Sequence, residues 1–114
     1  MKVKVEERGP GNYVVRPEGD VDMSTSPELR ATLAPLLAAG TQCLVVDLSQ
    51  VPYMDSSGIA TLVEGLQLSR KNSSKFILAG LGPSVRAAFE VAHLMEVFQV
   101  APSVESVFQE GWSR

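Results

Sequence analysis

Residues 44–58 read Leu44-Val45-Val46-Asp47-Leu48-Ser49-Gln50-Val51-Pro52-Tyr53-Met54-Asp55-Ser56-Ser57-Gly58, and the hydrophobic period changes just beyond them. The apolar, β-branched run Leu44–Leu48 predicts a buried strand, covered on both faces in a parallel sheet. After Gly58, the residues Ile59, Leu62, Val63 and Leu66 fall at i, i+3, i+4 and i+7, one face of a helix. Asp55-Ser56-Ser57-Gly58 therefore lies where a strand has ended and a helix begins. Several backbone N–H groups lack partners there, and the helix dipole is positive. A hydroxyl at that point is placed to carry or approach a phosphate. Asp and Ser are also common helix caps. The residues alone leave both roles open.

On the N-terminal side, Val3 and Val5 alternate with Lys2, Lys4 and Glu6, the pattern of a strand with one wet face. Gly9-Pro10-Gly11-Asn12 is a turn cluster, and Tyr13–Pro17 reads as a second strand forming a hairpin with the first. The acidic stretch Glu18–Met23 leads into a helix. Ser26 is the expected N-cap, Pro27 suits the first helical position and Glu28 suits the positive end. Leu29, Leu33, Leu36 and Leu37 make its apolar stripe, and Gly40 ends it. Pro35 predicts a kink or break near Leu33–Ala34, because a helix-interior proline costs ~3 kcal/mol.

On the C-terminal side, Lys71–Ser74 is a polar break and Phe76-Ile77-Leu78-Ala79 a buried strand. Gly80-Leu81-Gly82-Pro83 turns into a helix over about 84–92. Val97–Val100 reads as a short strand, and Ser103 caps a last helix carrying Val104, Val107, Phe108 and Trp112. The order ββαβαβαβα predicts an α/β fold: a mostly parallel sheet of about five strands with four helices. At 114 residues, a single domain over 1–114 is expected, burying roughly two-thirds of its unfolded surface.

The net charge is −3, without a run of Lys or Arg, which weighs against nucleic acid and anionic membranes. The charged, alternating N-terminus is unlike a signal peptide, and Leu33–Ala39 is far too short to span a membrane. A cytoplasmic protein, monomeric or weakly dimeric, is expected. Cys43 is the only cysteine and His93 the only histidine, so no zinc site is expected and Cys43 reads as a small buried hydrophobe.

A serine nucleophile needs a base held against it, and His93 sits near the end of another helix without an evident orienting acid. Gly80-Leu81-Gly82-Pro83 lacks the spacing and the Lys-Ser/Thr of a phosphate loop. Asp22, Asp47 and Asp55 read as caps and turn-formers, and Met23, Met54 and Met95 as packing or contact residues. No cofactor is expected.

Val45–Ser49 through Tyr53–Ile59 resembles the anti-sigma factor antagonists, single-domain members of the sulfate transporter and anti-sigma antagonist (STAS) fold. Gly19-Asp20-Val21-Asp22 is similar to the family's Gly-x-x-Asp element, and Gly80–Arg86 to its loop after the fourth strand. One departure is visible. Where the family usually places a glycine to end the third helix, this chain has Ala92-His93-Leu94-Met95, and His tolerates a left-handed backbone better than most residues.

The resemblance implies a switch without catalysis in this chain. Ser57 would be the residue phosphorylated by an anti-sigma factor with serine kinase activity, while Ser56 would be the structural cap. Asp22, Met23, Met54, Asp55, Ser56 and Gly58 would form the phosphosite loop and partner contact. The unphosphorylated form would bind the anti-sigma factor and free a sigma factor; a serine phosphatase would restore binding. The same fold also implies an alternative, an accessory subunit of a membrane transport complex or a sensory scaffold module.

Overall fold

A computed structural model of the chain describes residues 1–109, so Trp112 lies outside the described residues. The elements are β1 (Lys2–Glu7), β2 (Asn12–Glu18), α1 (Ser26–Ala38), β3 (Cys43–Asp47), α2 (Ser56–Lys71), β4 (Lys75–Ala79), α3 (Pro83–Val91), β5 (Gln99–Ala101) and α4 (Val104–Gln109). This is the order expected. The sheet runs β1-β2-β3-β4-β5. The β1–β2 hairpin is antiparallel and every later pairing is parallel.

Side-chain alternation along the strands builds two cores of unequal size. Val15, Leu44, Val46, Phe76 and Leu78 point to the face covered by α1, α2 and α3, where Leu29, Leu33, Leu37, Leu62, Val85 and Phe89 meet them. Val14, Val45, Ile77 and Ala79 point to the other face, where α4 supplies Val104 and Val107. A strand buried on both faces has no polar alternation, which is why Leu44-Val45-Val46 reads as a continuous apolar run before Asp47. Toward β1 the second face is charged: Arg16 donates from Nη1 to Glu6 at 2.6 Å and from Nε to Asp47 at 3.1 Å. Cys43 is only partly buried, at the margin of the smaller core, and burial pushes its thiol pKa up.

The strand order never reverses. Open α/β sheets form a ligand crevice where the order switches direction, and this sheet has no such point. Its strand-to-helix loops lie on the surface.

Helix α1 departs from the sequence reading in two ways. Its N-cap is Thr25, whereas Ser26 is the first helical residue and is buried. No side chain among the described residues caps the helix; Asp22 holds the turn before it, its carboxylate accepting from Thr25 N at 3.2 Å and its carbonyl from Ser26 N at 2.8 Å. The helix also runs unbroken through Pro35. Pro35 and Ala31 both lie on the exposed side, so the Ala31 carbonyl that loses its partner faces water instead of apolar core.

Strand β5 begins later than expected, at Gln99. Phe98 instead packs edge-on against Phe89, ring centroids 5.5 Å apart. Val5, on the edge strand, is 47% exposed because only Val3 of that pair reaches the core. Ser103 does cap α4, accepting from Ser106 N at 3.2 Å.

Helices α2 and α3 end alike. In α3, His93 N donates to Glu90 O at 3.0 Å and Leu94 N to Phe89 O at 2.9 Å, with His93 at φ 58°. In α2, Ser73 N and Ser74 N make the same pair of bonds to Arg70 O and Ser69 O, with Ser73 at φ 58°. Both are Schellman caps, a geometry in which glycine is the usual left-handed residue. The left-handed backbone expected at His93 is present.

Candidate functional site

The loop between β3 and α2 is held by a neighbour that sequence reading missed. Val21 forms a parallel bridge with Met54: Val21 N donates to Tyr53 O at 3.0 Å and Asp55 N donates to Val21 O at 3.0 Å. In sequence Val21 is a lone apolar residue among acids, too short a signal for a strand. Fully buried, it joins the Gly19–Asp22 stretch to the Asp55–Gly58 stretch.

The bridge sets two similar turns close together. Asp22 Oδ1 accepts from Ser24 N at 2.9 Å and from the Ser24 hydroxyl at 2.7 Å. Asp55 Oδ1 accepts from Ser57 N at 2.9 Å, from the Ser57 hydroxyl at 2.6 Å and from Gly58 N at 3.4 Å. Asp55 is therefore the N-cap of α2, its side chain satisfying two of the helix's unpaired donors. Ser56 is not the cap. It is the first helical residue and is exposed, whereas Ser57 is half-buried.

Both carboxylates are held below the ordinary aspartate value. For Asp55 the main cause is the Ser57 hydroxyl, with the N–H groups of Ser57 and Gly58 adding to it. For Asp22 it is the Ser24 hydroxyl. The charge of Asp22 acts on Asp55 in the opposite direction, so the two carboxylates feel each other. Ser57 thus sits against one carboxylate, Asp55, that itself feels a second.

The remaining site residues separate into outward and inward sets. Met23 is 80% exposed, but Met54 is only 2% exposed. Gly58 is buried beneath Met54 and Val21. Met54 and Gly58 were expected as partner contacts; the structure places them under the loop, where they support it. Asp47 takes no part in this loop, accepting from Ser49 N at 3.0 Å as well as from Arg16. Among the described residues the His93 side chain makes no hydrogen bond, and the Ser57 hydroxyl bonds only the Asp55 carboxylate.

An open groove of about 520 Å³ adjoins the loop. Tyr53, Asp55, Ser56 and Ile59 line one side and Ala87, Ala88 and Val91 of α3 the other. Tyr53 is 48% and Val91 80% exposed, so the groove presents apolar surface to solvent. No helix among the described residues is long and apolar enough to cross a membrane.

Comparison with known proteins places this geometry. The sequence model of the STAS domain matches residues 3–107. An anti-sigma-B factor antagonist of Staphylococcus aureus (strain NCTC 8325 / PS 47) is 31% identical over 93 residues, which span 82% of this chain and 86% of that one. The crystal structure of an anti-sigma factor antagonist from Mycobacterium paratuberculosis is similar at TM-score 0.85 and 27% identity, over 96% of this chain and 92% of that one. The Bacillus cell fate determinant SpoIIAA in its phosphorylated form shares the fold at TM-score 0.77 and 18% identity, over 96% of this chain and 99% of that one. This chain belongs to the STAS domain family.

Proposed function

We propose that this protein is an anti-sigma factor antagonist switched by phosphorylation of Ser57. In this reading the unphosphorylated chain binds an anti-sigma factor that has serine kinase activity, and a sigma factor is released. Phosphorylation of Ser57 abolishes binding, and a serine phosphatase restores it. The chain is ligand and substrate, with no catalysis of its own.

The observation that carries the reading is the Ser57 hydroxyl held at 2.6 Å against the Asp55 carboxylate, which in turn feels the charge of Asp22. A phosphate would add a charge of about −1.5 to −2 at neutral pH. The helix N-terminus tolerates that charge within the domain. A partner surface shaped for a neutral hydroxyl would have to bury that charge together with the Asp55 carboxylate beside it.

The surroundings favour a protein partner. A stable interface covers ~800 Å² on each side, more than a four-residue loop offers. The apolar groove between α2 and α3, with Tyr53 and Val91 exposed at it, supplies adjoining surface of the kind that interface centres use.

Co-purification of the tagged chain from its own host cells, with mass spectrometry of partners and of Ser57, tests the proposal. The expected result is a serine kinase of anti-sigma type retained by wild type and by Ser57→Ala but lost by Ser57→Asp. Recovery of a permease–ATPase complex in its place overturns the reading in favour of a transport subunit.

A further inference from the structure

Strand β1 is an open edge of the sheet and pairs only with β2. Its register runs unbroken from Lys2 opposite Glu18 to Glu7 opposite Tyr13, so no bulge interrupts it, and the strand holds no proline. Proteins use bulges, prolines and charge to keep sheet edges from pairing further. Of these β1 has only charge, and its charge is of both signs. The hairpin fixes which backbone groups face outward. Arg8 N donates to Asn12 O at 2.7 Å, one position beyond the Glu7–Tyr13 pair. Bonded and non-bonded pairs alternate along an antiparallel ladder, so Lys2, Lys4 and Glu6 turn their backbone groups toward β2. Val3, Val5 and Glu7 turn theirs away. Pro17, which has no N–H to give, accordingly stands opposite Val3. Among the described residues no bond from outside the hairpin reaches Val3, Val5 or Glu7.

We propose that β1 pairs antiparallel with β1 of a second copy of this chain about a two-fold axis at Val5, joining two five-stranded sheets edge to edge. Such an axis matches residues on the same face, so each possible register is centred on a single residue. Centred on Lys4 or on Glu6, the strand sets that charge against itself. Centred on Val3, it sets Lys2 against Lys4 twice. Centred on Val5, each Lys4 faces Glu6 of the other copy, and the outward groups of Val3, Val5 and Glu7 are the ones that bond. The Lys4 and Glu6 side chains are 57% and 42% exposed and free to reach across. Val5, 47% exposed, meets an apolar partner in its own copy. At the margins Lys2 meets Arg8, which lies beyond the strand and is already paired with Glu6 and Glu105. The pairing is short against the ~800 Å² per side of a standard interface, so the dimer is a weak one. Strand β1 stands two strands from β3, which precedes the Ser57 loop, so the inference is independent of the reading of Ser57.

Sedimentation equilibrium of the full chain at low salt, up to about 1 mM, tests it. Wild type is expected to dimerise reversibly. Lys4→Glu and Glu6→Lys should each raise the dimer Kd by ~10-fold or more, because two opposite-charge pairs become two like-charge pairs. An equimolar mixture of the two variants should associate as wild type does, since every pair across the interface is again of opposite sign. Val5→Pro removes an outward N–H without touching the β1–β2 ladder, so it should abolish the dimer and leave the fold intact. It decides the matter even if Glu6→Lys, which also loses a bond from Arg16, does not fold. A wild-type chain that stays monomeric throughout overturns the proposal. A dimer that Val5→Pro and Lys4→Glu leave unchanged lies on another surface and overturns it equally. Failure of two folded charge variants to associate with each other overturns the register centred on Val5.

Discussion

Gly58 lies directly beneath Met54: a Cβ on residue 58 would stand 2.5 Å from Met54 Cγ and 2.8 Å from Val21 Cγ1. The glycine that ends the Asp-Ser-Ser-Gly element is thus a packing residue. Its bare Cα lets α2 begin under the Val21–Met54 bridge, and that bridge keeps Asp22 near Asp55.

Gly58→Ala is expected to destabilise the protein. The Cβ meets Met54 near its root, where the side chain cannot swing aside cheaply, and overpacking of this kind costs ~1–3 kcal/mol. Urea unfolding should show a lower midpoint with an unchanged slope. A midpoint equal to wild type would sink this account of Gly58.

Charge at position 57 should control partner affinity. Ser57→Asp and Ser57→Glu are expected to weaken binding of the anti-sigma factor by about 3 kcal/mol, more than a hundredfold. Ser57→Ala loses a hydrogen bond but adds no charge, so its affinity should stay within a few-fold of wild type. Calorimetry giving one affinity for all three would rule out an electrostatic switch.

His93 occupies the left-handed position of the α3 Schellman cap at φ 58°, where a side chain costs about 1 kcal/mol. His93→Gly should raise stability by up to that amount, offset in part by glycine's greater unfolded-state freedom. His93→Val, β-branched, should lower it. Thermal melts of the three proteins give the order, and a Val variant as stable as Gly would contradict it.

Acid should loosen the start of α2. The Asp55 carboxyl is held below its ordinary value of 3.8, chiefly by the Ser57 hydroxyl. A group whose folded pKa is depressed contributes stability that is fully present above its unfolded pKa. That contribution is lost as pH falls from about 3.8 through the lower folded pKa. In Ser57→Ala the largest cause disappears, so the Asp55 pKa should move up toward the ordinary value. Carboxyl-carbon NMR titration of both proteins checks the direction, and an unmoved Asp55 would show that the hydroxyl does not hold it.

The core was legible in sequence because burial dictates period. Leu29, Leu33 and Leu37 repeat at helical spacing, and residues 44–48 and 76–79 are too apolar to be anything but interior strands. The loop's chemistry was legible in part. An Asp-Ser-Ser-Gly between a strand and a helix marks a capped N-terminus, but it does not say which side chain caps. Asp55 is the cap because it stands in extended backbone just before the helix, with Ser57 N and Gly58 N two and three residues on, whereas Ser56 is already helical. Helix α1 misled at both ends of the same logic. A proline interior to a helix reads as a break unless its exposed position is known, and Ser26 reads as a cap unless Asp22 is seen folding back.

Local interactions explain what the sequence alone determined: the order of elements, the parallel sheet and the strand-to-helix junction before Ser57. Each follows from hydrophobic period or turn chemistry within a few residues. Only the tertiary structure decided that Val21 bridges Met54 across more than thirty positions, and that Gly58 and Met54 face inward. It alone brought Asp22 close enough to act on Asp55 and set α3 beside the loop. Those relations depend on how separate elements stack over one sheet face, and no local pattern encodes that stacking.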